Sequence, residues 1–488
     1  MLNYLKDEAN LTNTMNGAVT YSSSKDYCLD LFFKAGAMRN SEEKEIEKYV
    51  TRAFAQDPSK TLKILFFARD IRFGLGERRF FRTAVKYLAK TNPDAVNRNI
   101  KYFGEYGRYD DLLSLFGTQC EKNALDEIKS QFSADREALN SDGNISLLAK
   151  WLPSVNASSA ETNAMGRKVA KYLGLNEKAY RRSLSDMRKR IDIIENHLRT
   201  SDYTFCYSKQ PSCAMMKYRK AFLRNDEEHY LEYIKSVEKG KATINTSALY
   251  PYNIVHSCLK EDEISEREKK VLDVTWKNLP KYGENEENAL AVVDGSGSMY
   301  WGRSNLIPAE VALSLGIYFA EHNKGAFKNH FITFSMNPRL IEIKGDEICQ
   351  KVKFCESFNE CANTDIEAVF RLILSTAVKN RIKQSEMPSK IYIISDMEFD
   401  CCVKGGNSDT IFNTMKKNYM EQGYKLPQIV FWNVNSLSDN IPVSVSDTGV
   451  AIVSGATPAI FDMVAGGELS PLKVMNDIIN GERYAPIM

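Results

Sequence analysis

No apolar run in this chain approaches the roughly 18 residues that a membrane-crossing helix needs, so no such helix is expected. The first residues, Met1-Leu2-Asn3-Tyr4-Leu5-Lys6-Asp7-Glu8, lack the basic-then-apolar order of a secretory signal, and none is expected there. An excess of one charge is also missing. The 65 Lys and Arg stand against 63 Asp and Glu, which excludes a uniformly basic nucleic-acid coat and an acidic disordered tail. The ten cysteines show no paired spacing, which points to reduced, mostly buried thiols in a cytoplasmic protein. With 14 Pro against 24 Tyr and 24 Phe, the composition is that of a packed globular chain. At roughly 150 residues per domain the length suggests about three domain-equivalents, enough to bury a core without staples.

Signatures of catalysis are scarce as well. Cys349, Cys355 and Cys361 recur every six residues, which is not the close spacing of a zinc site, and the vicinal pair Cys401-Cys402 reads as packing. The five histidines are scattered without a His-x-x-x-His pair. No Gly-x-x-x-x-Gly-Lys-Ser/Thr loop is present to cradle phosphate, and Ser296 does not sit in a Gly-x-Ser-x-Gly elbow.

What is present divides in two. Residues 1–288 carry 47 basic and 41 acidic side chains, a net +6, whereas residues 289–488 carry 18 and 22, a net −4. The apolar pattern changes at the same place. In the first part, Ile46, Tyr49, Val50, Ala53 and Phe54 form one stripe at helical spacing, Pro58 and Pro93 open further helices, and Phe73-Gly74-Leu75-Gly76 interrupts the pattern. Helices are expected at 41–56, from Pro58 to Ile71, at 77–90, 123–140, 158–173, 176–198, 211–223, 226–239 and 263–279. Each can bury only one face, which suggests a stacked, irregular HEAT-like array without a fixed period. Lys281-Tyr282-Gly283-Glu284-Asn285-Glu286-Glu287-Asn288 reads as a linker. Beyond it, apolar runs at Ala289–Val293, His330–Ser335, Ile391–Ser395, Ile429–Val434 and Val450–Val453, with an edge strand at Leu340–Ile343, alternate with helices at Pro308–His322, Asp365–Lys379 and Thr410–Glu421. Pro471–Asn480 closes the chain. That alternation predicts a mainly parallel sheet covered on both faces, a doubly wound α/β domain. The expected boundaries are 1–283 for the helical domain and 289–488 for the α/β domain.

The first strand of the sheet ends in Asp294-Gly295-Ser296-Gly297-Ser298. One carboxylate and two hydroxyls at alternate positions of a Gly-rich loop can converge on one centre, an oxygen-only set of low charge that suits Mg²⁺ or Mn²⁺. Ile391-Tyr392-Ile393-Ile394-Ser395-Asp396 brings a second carboxylate to a strand end, and Asn363-Thr364-Asp365 offers a hydroxyl at a helix start. Asp294, Ser296, Ser298, Thr364 and Asp396 together resemble the metal-ion-dependent adhesion site of a von Willebrand factor A domain. The resemblance covers about residues 289–485. It implies that Ser296, Ser298 and Thr364 supply hydroxyl oxygens, that Asp294 and Asp396 act largely through bound water, and that an open metal position takes an acidic group from a partner.

The helical part has a local excess of charge. Residues 167–224 hold 15 Lys and Arg against 5 acids, interleaved with Tyr172, Tyr180, Tyr203, Phe205, Tyr207, Tyr218 and Phe222. Cations hold phosphates and rings stack unpaired bases, so RNA contact is expected at Arg167, Lys168, Lys171, Arg181, Arg182, Arg188, Lys189, Lys217 and Arg219. A second basic run, Arg69, Arg72, Arg78, Arg79 and Arg82, surrounds the Gly74/Gly76 turn. Three segments, Ala68-Arg69-Asp70-Ile71-Arg72-Phe73-Gly74-Leu75-Gly76-Glu77-Arg78, Tyr106-Gly107-Arg108-Tyr109-Asp110-Asp111-Leu112-Leu113 and Leu147-Leu148-Ala149-Lys150-Trp151-Leu152-Pro153, resemble the TROVE module of Ro ribonucleoproteins in the same order. That family places a HEAT-like helical ring before a von Willebrand A domain and binds small structured or single-stranded RNA. The glycines of the first segment read physically as the end of one helix and the start of another, a role that needs no RNA.

The expected function is therefore a non-enzymatic RNA-binding scaffold that docks an acidic protein partner through its metal. The competing expectation is a protein–protein adaptor without RNA, and a metal-dependent hydrolase ranks third because no general base stands beside the loop.

Overall fold

The computed structural model describes residues 10–260, 264–284, 287–301, 306–335, 337–359, 364–400 and 410–488. The expectations for Met1–Glu8, Cys361, Asn363, Cys401 and Cys402, and for Asn285 and Glu286 of the linker, fall outside them.

A helical array comes first and an α/β domain follows. The helix Glu43–Gln56 buries Ile46, Tyr49, Val50 and Ala53, the stripe seen in the sequence. Asp57 ends it and caps the next helix, Pro58–Arg69, by accepting the Lys60 N–H at its side chain. Helices Arg78–Thr91, Glu121–Asn140, Ala160–Tyr172, Ser212–Asn225, Glu227–Glu238 and Glu266–Lys277 lie where expected. The long helix expected at 176–198 is two, Glu177–Arg190 and Ile194–Thr200. Between them Asp192 takes φ +57°, a left-handed conformation that a short polar side chain tolerates and that no helix can continue through. The helices Tyr27–Ala35, Pro251–Lys260 and Ile348–Glu356 were not expected, nor was a hairpin of two three-residue strands, β1 (Leu11–Asn13) and β2 (Val19–Tyr21).

The sheet of the α/β domain contains β3 (Ala289–Asp294), β4 (His330–Phe334), β5 (Leu340–Glu342), β6 (Lys390–Ser395), β7 (Gln428–Asn433) and β8 (Val450–Ser454). Their spatial order is β5-β4-β3-β6-β7-β8, parallel throughout except for the antiparallel edge strand β5. β3 and β6 are fully buried, as their unbroken apolar runs require. From the seam between β3 and β6 the chain winds outward in both directions, which opens a crevice at the carboxyl ends of those two strands.

The linker does not hold the two parts apart. The N–H of Tyr282 donates to the Tyr318 hydroxyl (2.8 Å) and that of Gly283 to Asp462 Oδ1 (2.8 Å). One apolar core runs from Ala18 to Ile487 and includes residues of both halves. Helix Tyr27–Ala35 lies on β8 so closely that a Cβ on Gly36 would come within 2.6 Å of the Gly455 nitrogen. The end of the chain returns to the helices: Arg483 pairs with Asp70 (2.9 Å) and Glu105 (2.6 Å), and the Tyr484 ring stacks on Tyr106. A second, smaller core around Phe205, Tyr207, Phe222 and Tyr230 belongs to the helical half.

Candidate metal centre and basic groove

Parallel pairing of β3 with β6 puts Asp294 and Asp396 at neighbouring strand ends in the crevice. Both carboxylates are buried. Asp294 Oδ1 accepts the Ser296 N–H (2.8 Å) and Oδ2 accepts the Ser395 hydroxyl (2.5 Å). The hydroxyl oxygens of Ser296 and Ser298 are 3.1 Å apart, and the Ser298 hydroxyl favours the charged form of the Asp396 carboxylate. Asp396 Oδ1 accepts the Glu398 N–H (3.1 Å), whereas Oδ2 is buried with no hydrogen-bond partner.

Burial raises the Asp294 carboxyl above its usual range, and the negative Asp400 raises it further. Burial, and then the charge of Asp294, pushes Asp396 up to about 7. Two buried acids in electrostatic contact, one with an unsatisfied oxygen, form a site that a cation would relieve. Among the described residues no cluster of three or more His, Cys, Asp or Glu side chains is arranged to hold a metal. A cation here has to rely on hydroxyl as well as carboxylate oxygens, and that donor set fits Mg²⁺ or Mn²⁺ better than zinc.

Thr364 sits to one side of this group. Its hydroxyl donates to the Glu398 carbonyl (2.8 Å) and accepts from Asn16 Nδ2 (3.3 Å), and its N–H donates to Asp400 Oδ2 (2.6 Å). The structure thus gathers Asp294, Ser296, Ser298 and Asp396, and ties Thr364 to Asp396 through Glu398, whose carbonyl takes the Thr364 hydroxyl and whose N–H donates to Asp396 Oδ1.

Sequence reasoning missed Asn16, Glu398 and Asp400. The alternating Asp396-x-Glu398-x-Asp400 was a visible signal for the last two. Glu398 takes the Met15 N–H on Oε2 (2.7 Å) and the Ser438 hydroxyl on Oε1 (2.6 Å), which pins the loop beyond β6 to the hairpin tip. Met397, between Asp396 and Glu398, has φ +67°, a conformation that costs a bulky residue about 1–3 kcal/mol and concentrates at functional sites.

The basic tract separates into two populations. Lys178, Arg181, Arg182, Lys189 and Arg199 line one groove of about 1040 Å³ beside helices Glu177–Arg190 and Ile194–Thr200. Three acids also line it, but His197 lies between two of them, 2.5 Å from Asp192 and 3.1 Å from Asp202.

Of the other cations expected to contact RNA, all but Lys171 make contacts elsewhere in the fold. Arg188, although it borders the groove, donates to the carbonyls of Ala149 (2.8 Å) and Leu152 (3.0 Å). Arg219 is buried and paired with Glu268 (2.8 Å), so its expected role as an RNA contact is corrected to a structural one. Arg167 pairs with Glu177 (3.0 Å) and Lys168 with Glu121 (2.8 Å), Lys217 lies over the Tyr218 ring, and Lys171 is exposed on helix Ala160–Tyr172. Four of the seven interleaved aromatics need the same correction, whereas Tyr172, Tyr203 and Tyr218 are half-buried. Tyr180, Phe205, Tyr207 and Phe222 are buried in the two cores and present no face to a base.

In the second basic run Arg69 and Arg82 are structural, whereas Arg72, Arg78 and Arg79 are exposed. Asp111 accepts Arg69 Nε (2.7 Å) and Arg82 Nε (2.5 Å), and Arg108 stacks 4.3 Å over the Trp151 ring, so the three motif segments meet. Gly74 is required because a Cβ there would lie 2.0 Å from the Phe67 carbonyl oxygen.

Fold and site together define a helical array fused to an α/β domain with an oxygen-rich crevice at its switch point. Residues 14–131 and 109–282 match the family described as "Domain of unknown function (DUF2828)", and residues 288–471 match "Domain of unknown function (DUF7788)". The chain belongs to the DUF2828 family. An uncharacterized protein of Acanthamoeba polyphaga mimivirus is 28% identical over 520 residues, a span covering 98% of this chain and 89% of that protein.

Proposed function

We propose that this protein is a non-enzymatic RNA-binding scaffold whose α/β domain carries a divalent cation for docking a partner. The groove lined by Lys178, Arg181, Arg182, Lys189 and Arg199 takes the phosphates of small or single-stranded RNA. The observation that carries this reading is the convergence of these five cations on one open groove, where two of the three acids face His197 and the third, Asp186, lies 4.0 Å from Arg182. Because no Phe, Tyr or Trp among the described residues lines this groove, contact there is to the backbone and depends little on sequence. At the crevice, Asp294, Ser296, Ser298 and Asp396 hold Mg²⁺ or Mn²⁺, with Thr364 adjoining. The partnerless Asp396 Oδ2 supports this assignment. Such an ion supplies an electrophilic position for an acidic group of a partner. The layout supports the likeness to a von Willebrand factor A domain behind a TROVE-like, HEAT-like array.

Gel shifts with mixed-sequence single-stranded RNA test the groove. Affinity is expected to fall steeply with salt, and to drop by about tenfold or more when Lys178, Arg181, Arg182 and Lys189 are changed to Ala. An absence of binding at low salt overturns the RNA reading. Titration calorimetry with Mn²⁺ tests the crevice, where equal heats for the wild type and Asp294→Ala would reject the cation.

One observation favours the adaptor reading. Tyr300 and Trp301, one turn beyond Ser298, are 44% and 59% exposed, and exposed aromatics at a polar centre suit a protein partner.

A further inference from the structure

We propose that Cys258 and Cys349 form an oxidation site, at which hydrogen peroxide converts two thiols into a disulfide that ties the helical array to the α/β domain. Cys258 lies on helix Pro251–Lys260 of the array, and Cys349 lies in the first turn of helix Ile348–Glu356 of the α/β domain. Their sulfur atoms are 2.8 Å apart, each the other's hydrogen-bond partner. The pair needs to close by only about 0.8 Å to reach the roughly 2.05 Å of an S–S bond.

The backbone around the pair is held by other bonds across the same boundary. His256 Nδ1 is 2.6 Å from Glu310 Oε2, Trp276 Nε1 donates to Glu321 Oε2 (2.6 Å), and the Ile348 N–H donates to Asp273 Oδ1 (3.1 Å). Closure therefore calls for side-chain rotation rather than movement of one half against the other. Of the other described thiols, Cys28, Cys120 and Cys355 are buried, and Cys206 and Cys213 are exposed.

Cys349 is the attacking thiol. The hydrogen bond from Cys258 holds it below the ordinary thiol range, and Lys269 adds to that effect. Its thiolate attacks one oxygen of the peroxide, the O–O bond breaks, and the departing hydroxide takes the proton released by Cys349 to give water. The Cys258 sulfur then attacks the sulfenic sulfur, the S–O bond breaks, and the second hydroxide leaves as water with the Cys258 proton. Two thiols are oxidised, one peroxide is reduced, and two waters form. Cys258 is 0% and Cys349 3% exposed, so peroxide reaches them on local opening, more slowly than it reaches Cys206 and Cys213. The new bond closes a loop across a separation of 91 residues, which restricts the unfolded chain and raises the melting temperature.

The test uses the full chain and depends on neither RNA nor metal. After graded hydrogen peroxide, free thiols are blocked with N-ethylmaleimide in denaturant and the protein is digested without reductant for mass spectrometry. The expected product is a linked peptide pair containing Cys258 and Cys349, two hydrogens lighter than the separate peptides. A melting temperature raised by a few degrees and restored by dithiothreitol should accompany it. Cys206→Ser should keep both effects, and Cys258→Ser and Cys349→Ser should lose both. The proposal is overturned if both cysteines of the wild type carry the maleimide after peroxide, or if the linked product joins other cysteines. A rise in melting temperature that survives Cys258→Ser has the same consequence.

Discussion

Lys34 is fully buried, and among the described residues its ammonium group has the Ser436 hydroxyl (3.1 Å) and the Ser438 carbonyl (2.8 Å) as close acceptors. Burial lowers its pKa to about 8, against a smaller opposing pull from Glu398, Asp439, Glu45 and Asp30. A lysine whose folded pKa lies below its unfolded value binds fewer protons in the native state than in the unfolded one between the two values. Its contribution to stability therefore rises with pH from about 8 to the ordinary lysine range near 10.4. Urea titrations of the wild type and Lys34→Met across that window should show the wild type gaining relative to the variant as pH rises. Parallel curves would mean that Lys34 does not titrate there. Asp111 offers a second single-residue test. It receives both Arg69 and Arg82, and Arg69 is buried, so Asp111→Asn should cost about 3–5 kcal/mol in urea unfolding by leaving a buried cation without its counter-charge. A cost near zero would return the Tyr106-Gly107-Arg108-Tyr109-Asp110-Asp111 segment to consideration as a binding motif.

Elements that touch at backbone distance tolerate no added atoms. Helix Tyr27–Ala35 meets the end of β8 at Gly36 and Gly455, where neither partner is a flexible side-chain tip. Gly36→Ala should push that helix off the sheet and cost about 1–3 kcal/mol by overpacking, measured as a lower denaturation midpoint. Much of the element pattern was legible in the sequence. β3, β6, β7 and β8 read correctly because strands buried on both faces are unbroken apolar runs. The break at Asp192 was hidden because the apolar stripe continues through Ile191, Ile193 and Ile194, and only the left-handed backbone at Asp192 separates the two helices. β1 and β2 were invisible because three residues carry too few alternations to register.

At the scale of the whole molecule, the two halves share one core and the carboxyl terminus closes it. Deleting residues 483–488 removes the Arg483–Asp70 pair, the Tyr484 stack on Tyr106 and the burial of Ile487. It should lower stability by about 3 kcal/mol or more, as the loss of two buried apolar side chains implies. If calorimetry of the truncated chain gave an unchanged melting temperature, the tail would be an ornament rather than a clasp. The shared core also predicts that residues 289–488 expressed alone would expose the β8 surface that helix Tyr27–Ala35 covers, and would bind the dye ANS where the full chain does not.

The sequence by itself determined the helical and α/β halves, the strand ends that carry Asp294 and Asp396, and the position of the basic tract. All of these follow from local periodicity and from residues adjacent in the chain. Only the tertiary structure decided which cations of the tract face a groove and which are bound to carbonyls or acids. It alone decided that Tyr180, Phe205, Tyr207 and Phe222 are core while Tyr172, Tyr203 and Tyr218 are half-buried, that Asn16 reaches Thr364 and that Cys258 meets Cys349. These are contacts between segments far apart along the chain, and no local pattern encodes them, because they arise from how amphipathic faces pack once both halves share a single core.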